Sequence, residues 1–215
     1  MKWAVVVAGG SSTRFGNDKL NMPLFDKTVL QNTVDIKAIA DVCKAQNVLL
    51  LVDNAHGAYL KFLPTSLHPI DLGADLCCDS AHKTLPVLTG GAYLHIGKNA
   101  PAYFMENAVT ALSLHASTSP SYIILQSLDN VNKLLHDSPC YFDKTICRLD
   151  KLKARLADCG YTLVGDERLK LTIATKPYGY TGEEVASCLE SKSIYVEFCD
   201  KDFVTMMFSP CNKKG

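Results

Sequence analysis

Net charge is what this sequence most plainly lacks, since 22 basic and 22 acidic side chains cancel. Without an excess of one sign there is no global field to recruit nucleic acid or an anionic membrane. Long apolar runs are missing as well. The opening stretch Trp3–Ala8 is too short for the apolar segment of a signal peptide, and the polar, charged SSTRFGNDK follows it. No later run approaches membrane-spanning length, so the sequence predicts a soluble, cytoplasmic protein. Internal repeats and low-complexity segments are also absent. The nine cysteines include no C-x-x-C pair and no short-spaced ligand cluster, which argues against zinc. Most stand in apolar runs such as ADLCCDS and read as buried, reduced thiols of a cytosolic protein.

What is present is ordinary globular composition, 47% hydrophobic and 20% charged over 215 residues. That length suffices for one domain with a sizeable core, or one domain plus a small appendage. The β-branched run WAVVVA (3–8) predicts a buried strand ending in the Gly9-Gly10 loop. A helix follows, with Val34, Ile36, Ile39, Ala40, Val42 and Cys43 at helical spacing. NVLLLVD and GADLCCD read as buried strands closed by Asp53 and Asp79, SAHKTLPVLTGG as a loop, and AYLHIG as a third strand. Helical periodicity dominates 102–114, 122–136 and 142–159, punctuated by Pro120, Pro139 and Gly160. The tail returns to mixed structure: strand LKLTIAT, a turn at PYGYTG, helix EEVASCLES, and strands IYVEF and FVTMMF. Acidic Glu183 and Glu184 sit where a helix's first turn favours them.

Three segments carry chemistry together: Asp53-Asn54-Ala55-His56-Gly57, Asp79-Ser80-Ala81-His82-Lys83-Thr84, and Ser117-Thr118-Ser119-Pro120-Ser121. The first two follow strands, and ligands of open α/β sheets bind at the carboxyl ends of strands. The set suits a pyridinium cofactor. A strand-end carboxylate can hold the ring nitrogen protonated, keeping the ring an electron sink. Ala55 is small enough to lie flat on the ring. Lys83 supplies an amine for a Schiff base once activated, and Ser80 and His82 can donate to a phosphate. Singly, each residue has a plainer role: Asp53 as a cap, Lys83 as a solvated charge, His56 or His82 as a structural histidine. The arrangement of all three segments selects the functional reading.

VDNAHGAYLKF, ADLCCDSAHKTLPVLTGGAYLHI, STSPSYIILQSLD and GYTGEEVASCLESKSIYVEF resemble the ornithine/lysine/arginine decarboxylase family over about residues 34–210. The resemblance implies the aspartate-aminotransferase fold and pyridoxal phosphate. It makes Lys83 the Schiff-base lysine and Asp53 the ring-nitrogen partner, with Ala55 and His56 beside the ring. Lys83, Asp53 and His56 are then the catalytic set. Ser80 and His82 become phosphate ligands, and Ser117, Thr118 and Ser119 face the phosphate across a homodimer interface. The implied reaction is decarboxylation of lysine, ornithine or arginine. A related S-x-H-K occurs in cysteine desulfurases.

Residues 1–36 resemble instead the start of a 2-C-methyl-D-erythritol 4-phosphate cytidylyltransferase. There Gly9, Gly10, Arg14 and Lys19 would cradle the phosphates of CTP. The expected fold class is therefore α/β: a partial aspartate-aminotransferase-like large domain with a small C-terminal α+β subdomain. Expected divisions are a cytidylyltransferase-like fragment at 1–36, a truncated cofactor-binding domain at 37–140, and a helix plus small subdomain at 141–215. The expected function is a basic amino-acid decarboxylase (a carbon-carbon lyase) or an inactive truncated relic of one. CTP-dependent nucleotidyl transfer and a non-catalytic fusion fragment are the alternatives.

Overall fold

A computed structural model describes Trp3–Val7, Pro23–Leu24, Lys27–Thr28, 35–116 and 119–212. The chain divides into two compact units, Met1–Pro139 and Cys140–Gly215. Among the described residues no helix is long and apolar enough to cross a membrane.

The first unit is built on a four-stranded sheet. Strands β1 (Trp3–Val7), β4 (Leu49–Asp53) and β5 (Leu76–Asp79) run parallel, and β6 (Tyr93–Ile96) pairs antiparallel with β5. Strand β1 lies against β4 in the register Trp3 to Leu49 through Val7 to Asp53. The short strands β2 (Pro23–Leu24) and β3 (Lys27–Thr28) form a separate antiparallel pair. Helix α1 (Ile36–Ala45) starts at Asp35, whose carboxylate accepts from Ala38 N–H at 2.8 Å. Its Ile36, Ala40 and Cys43 form one buried stripe, clustered with Leu50, Val52, Ala74 and Cys77.

Strand β4 alternates where the apolar run LLLV predicts a strand buried throughout. Leu50 and Val52 are buried, Leu49 and Leu51 half-buried, and Asp53 exposed. Neighbouring side chains leave a strand on opposite faces, and the face bearing Leu50 and Val52 is the one that meets the α1 cluster. The same alternation separates buried Cys77 from exposed Cys78, and it corrects the reading of the cysteines. All nine are free thiols, yet only Cys43 and Cys77 are buried. An apolar neighbourhood in sequence does not say which face a residue takes.

After β4 the chain turns through residues 54–57 into a 3-10 helix, Ala58–Phe62, whose Tyr59 is fully buried. After β5, the segment expected as a loop instead begins with a helical turn, α2 (Ala81–Thr84). Pro86 ends it, because the residue before a proline avoids helical geometry and Leu85 is extended, with ψ 156°. Helices α3 (Ala102–His115) and α4 (Tyr122–Asp137) follow. Helix α3 buries no residue and leaves Tyr103, Met105, Val109, Leu112 and Leu114 exposed.

The second unit contains helix α5 (Asp143–Asp158) and an antiparallel sheet in the order β7 (Leu163–Val164), β8 (Lys170–Ala174), β10 (Phe203–Met207), β9 (Phe198–Cys199). Helix α6 (Gly182–Glu190) opens on a reciprocal cap: Thr181 Oγ1 accepts from Glu184 N–H, and Glu184 Oε2 accepts from Thr181 N–H. Of the expected strand IYVEF only Phe198 is extended into a ladder, as the first of the two residues of β9. Ser193 adopts φ 60° and Ile194 N–H is spent on Leu189 O, so the helix's C-terminal turn consumes donors a ladder would need. A Cβ on Gly182 would lie 2.0 Å from Phe203 O and 2.3 Å from Asp200 O. Gly182→Ala is therefore expected to destabilise this unit by about 3 kcal/mol or more, as overpacking against rigid backbone does. Urea denaturation followed by hydrogen exchange in β8 and β10 measures it.

Candidate active site

Because β4 and β5 are parallel neighbours, paired at Asp53 and Cys78, the turns that follow them leave the same edge of the sheet. Residues 54–57 and 80–84, far apart in sequence, are thereby adjacent. Their closest functional contact is Lys83 Nζ with His56 Nε2, at 3.3 Å. Ala55, His56, Ser80, His82 and Lys83 are half-buried, whereas Asp53 is exposed. Among the described residues the Asp53 carboxylate makes no hydrogen bond or ion pair with Lys83 or His56. His82 is anchored twice to the loop before β6: its backbone N–H donates to Gly91 O at 3.2 Å, and its Nδ1 donates to the same oxygen at 3.0 Å. Only Nε2 of His82 is then available to a ligand. Ser80 makes no capping hydrogen bond to the turn it precedes. Ser119 is exposed ahead of α4, while Ser117 and Thr118 lie outside the described residues. Gly9, Gly10, Arg14 and Lys19 lie outside them too.

Directly behind these turns is a polar centre whose two histidines sequence reasoning did not single out. Asp79, 2% exposed, accepts from Asn54 Nδ2 on one oxygen at 2.8 Å and from His68 Nε2 and His95 Nε2 on the other, each at 2.9 Å. Burial alone would raise its carboxyl, but the hydrogen bonds from His68, His95 and Asn54 win and hold it well below the usual carboxylate range. The two rings stand edge to face with centroids 4.9 Å apart. Cys77 donates to Asp79 at 3.6 Å. Burial, with the neighbouring Asp79 charge second, pushes that thiol far up, so Cys77 stays protonated and inert. His68 and His95 lie 11 and 16 residues from Asp79, outside every motif the sequence shows; antiparallel pairing of β6 with β5 brings His95 to the carboxylate, and the loop between the 3-10 helix and β5 brings His68.

Two histidines and a carboxylate with ligand atoms within 4.8 Å of one another match the donor set of a zinc or iron site. The hydrogen bonding of His68 opposes that use. Ile70 N–H points at His68 Nδ1, 3.3 Å away, so Nδ1 is the acceptor and the ring proton sits on Nε2, facing Asp79. A metal on Nε2 would drive the proton onto Nδ1, against a backbone donor. The trio is a hydrogen-bond network. It borders a cavity of about 280 Å³ lined also by Lys61, Tyr93 and Asn132; neither Asp53 nor Lys83 lines it.

A family model for the Orn/Lys/Arg decarboxylase major domain matches residues 24–157. The chain belongs to this family. The matched span begins upstream of Val34, so it takes in residues that the sequence reading assigned to the N-terminal fragment. An arginine decarboxylase of Bacillus subtilis is 30% identical over 210 residues, covering 90% of this chain and 42% of that protein. An uncharacterised protein of the same organism, YaaO, is 29% identical, covering 88% of this chain and 42% of its own. The chain thus spans about two fifths of the length of these curated relatives. Among solved structures, the lysine decarboxylase LdcF of Francisella novicida superposes with a TM-score of 0.63 at 20% identity, over 76% of this chain and 30% of that one. This chain and the solved structure share an α/β fold.

Proposed function

We propose that this chain carries the cofactor-binding core of a pyridoxal-phosphate-dependent decarboxylase of a basic amino acid, with Lys83 as the attachment residue. The observation that supports it best is the meeting of Lys83 and His56 at 3.3 Å, between turns leaving the carboxyl ends of adjacent parallel strands. The donor set fits the cofactor: one primary amine, one accessible carboxylate at the neighbouring strand end, and hydroxyl and imidazole donors on the Lys83 turn. Pyridoxal phosphate, when bound, supplies a ring that takes up the electron pair of the bond to the departing carboxylate. Lys83 would provide the amine that anchors it. Asp53 would hold a proton at the ring nitrogen, and Ala55 and His56 would lie beside the ring. Ser80 and His82 would donate to the phosphate. His82 would do so through Nε2, since Nδ1 is committed to Gly91 O. Lysine, ornithine or arginine is the substrate class, and the family's aspartate-aminotransferase-like arrangement, with a small C-terminal subdomain, is part of the same proposal.

The active form is a cytoplasmic homodimer in this reading. The free thiols suit a reducing compartment. The exposed Tyr103, Met105, Val109, Leu112 and Leu114 of α3 and Tyr122, Ile123 and Leu125 of α4 form apolar surface of the kind that self-association covers. Ser117–Ser119 between these helices would reach the partner's phosphate. Sedimentation of the full chain with pyridoxal phosphate should show a dimer; a monomer at all concentrations would reject this element.

Asp53→Ala is expected to leave borohydride trapping of the cofactor on Lys83 largely intact while lowering turnover about 100-fold or more, since a neutral pyridine is a poor electron sink. An unchanged kcat in that variant would remove Asp53 from the ring nitrogen.

A further inference from the structure

Asn54 lies just past the end of β4, and Asp79 is the last residue of β5, paired there with Tyr93 of β6; neither is assigned to the cofactor, yet each adjoins a residue that is. Asn54 follows Asp53 and precedes Ala55 and His56; Asp79 precedes Ser80 and the Lys83 turn. Their side chains meet in a bond of 2.8 Å between Asn54 Nδ2 and Asp79 Oδ1, buried and 25 residues apart in sequence. The backbone joins the same two points, with Asn54 N–H donating to Cys78 O at 2.9 Å. Gly57 closes the arrangement from above. A Cβ there would lie 1.9 Å from Asn54 Oδ1, so only glycine lets the amide lie flat beneath the turn and reach Asp79. On its other oxygen Asp79 is tied to His68 and His95, which fixes the carboxylate that Asn54 binds.

We infer that the Asn54–Asp79 pair is a clamp that sets the spacing of the two site turns and so holds Lys83 against His56. Both are positioning residues; neither touches the reacting atoms. The inference rests on the reading of Lys83 as the functional lysine, but its geometry is independent of any cofactor. The β4–β5 ladder ends at Asp53 and Cys78, and the clamp extends the fixed spacing of these two strands from there into the turns.

The test compares wild type, Asn54→Ala, and the exchange Asn54→Asp/Asp79→Asn. The alanine variant cuts the link while leaving Asp79 its two histidines. The exchange restores it: an asparagine at 79 can accept from His68 and His95 on its oxygen and donate from its amide to a carboxylate at 54. The readout is the rate at which trinitrobenzenesulfonate modifies Lys83 across pH 6–10, resolved by peptide mapping, together with the NMR titration of His56. Hydrogen exchange in β4, β5, β8 and β10 monitors the fold. Asn54→Ala should accelerate Lys83 modification about fivefold and move both pH profiles, with β-strand protection retained; the exchange should return the rate to within about twofold of wild type. Coincident Lys83 and His56 profiles in wild type and Asn54→Ala would overturn the clamp. So would an exchange variant that folds but behaves like Asn54→Ala. A wild-type chain that fails to take up pyridoxal phosphate on Lys83 counts against the proposed function alone, because the modification profiles need no cofactor.

Discussion

Lys83→Ala is expected to abolish borohydride trapping of pyridoxal phosphate on the chain, leaving only the scattered background of surface lysines. Lys83→Arg should fail equally: it keeps a cation beside His56 but has no primary amine to condense with an aldehyde. Where the wild-type chain decarboxylates lysine, ornithine or arginine, either variant should lower kcat about 10³-fold or more, the scale on which loss of a covalent catalyst acts. Peptide mapping of the trapped wild-type protein should find the pyridoxyl group on the segment containing Ser80–Thr84. Label spread evenly over many lysines, or retained in Lys83→Ala, would reject the assignment. The contact with His56 Nε2 at 3.3 Å gives a reason for selectivity, since it holds this amine in one place, unlike the amines of solvated surface lysines.

The second large effect concerns stability. Asp79→Ala would leave His68 and His95 directing donors at an empty, buried position, and loss of one partner from such a network costs roughly 3–5 kcal/mol. Its pH dependence has a definite sign. Asp79 is held below the ordinary carboxylate range when folded, so the unfolded chain takes up its proton first as pH falls. The stabilisation is fully present above the unfolded value, about pH 4, and is lost as pH drops toward the lower folded value. The gap between wild type and Asp79→Ala should therefore be widest near neutrality and narrow below about pH 4. Hydrogen exchange at the buried amides of Val52 and Cys77, measured at several pH values, separates this unit from the other. A gap that stayed constant from pH 7 to the acid limit would mean that the charge on Asp79 is not what stabilises the sheet.

Periodicity, caps and the order of short motifs determined a good deal. The apolar stripe of Ile36, Ala40 and Cys43 forced a helix whatever else surrounded it, because only a 3.6-residue repeat places those side chains on one face. The acidic start of EEVASCLES fixed a helix opening at Thr181. The runs ending in Asp53 and Asp79 were visible as strands that deliver polar residues, and the S-x-H-K and D-x-A-H segments pointed to one family. Tertiary structure decided what local signals cannot encode. Which face of β4 is covered depends on where α1 lands, and a continuous apolar run is silent about that. Whether Cys77 or Cys78 is buried follows from the register with Val52 and Asp53, not from their identical neighbourhoods. The helical periodicity of 102–114 specified a helix but not its burial, since α3 leaves its apolar residues exposed. Most of all, the Asn54, His68 and His95 hydrogen bonds to Asp79 arise from separations of 25, 11 and 16 residues. They exist because parallel pairing of β4 with β5 brings Asn54, antiparallel pairing of β5 with β6 brings His95, and the loop ahead of β5 brings His68 to one buried carboxylate, where an unpaired charge would be too costly to keep.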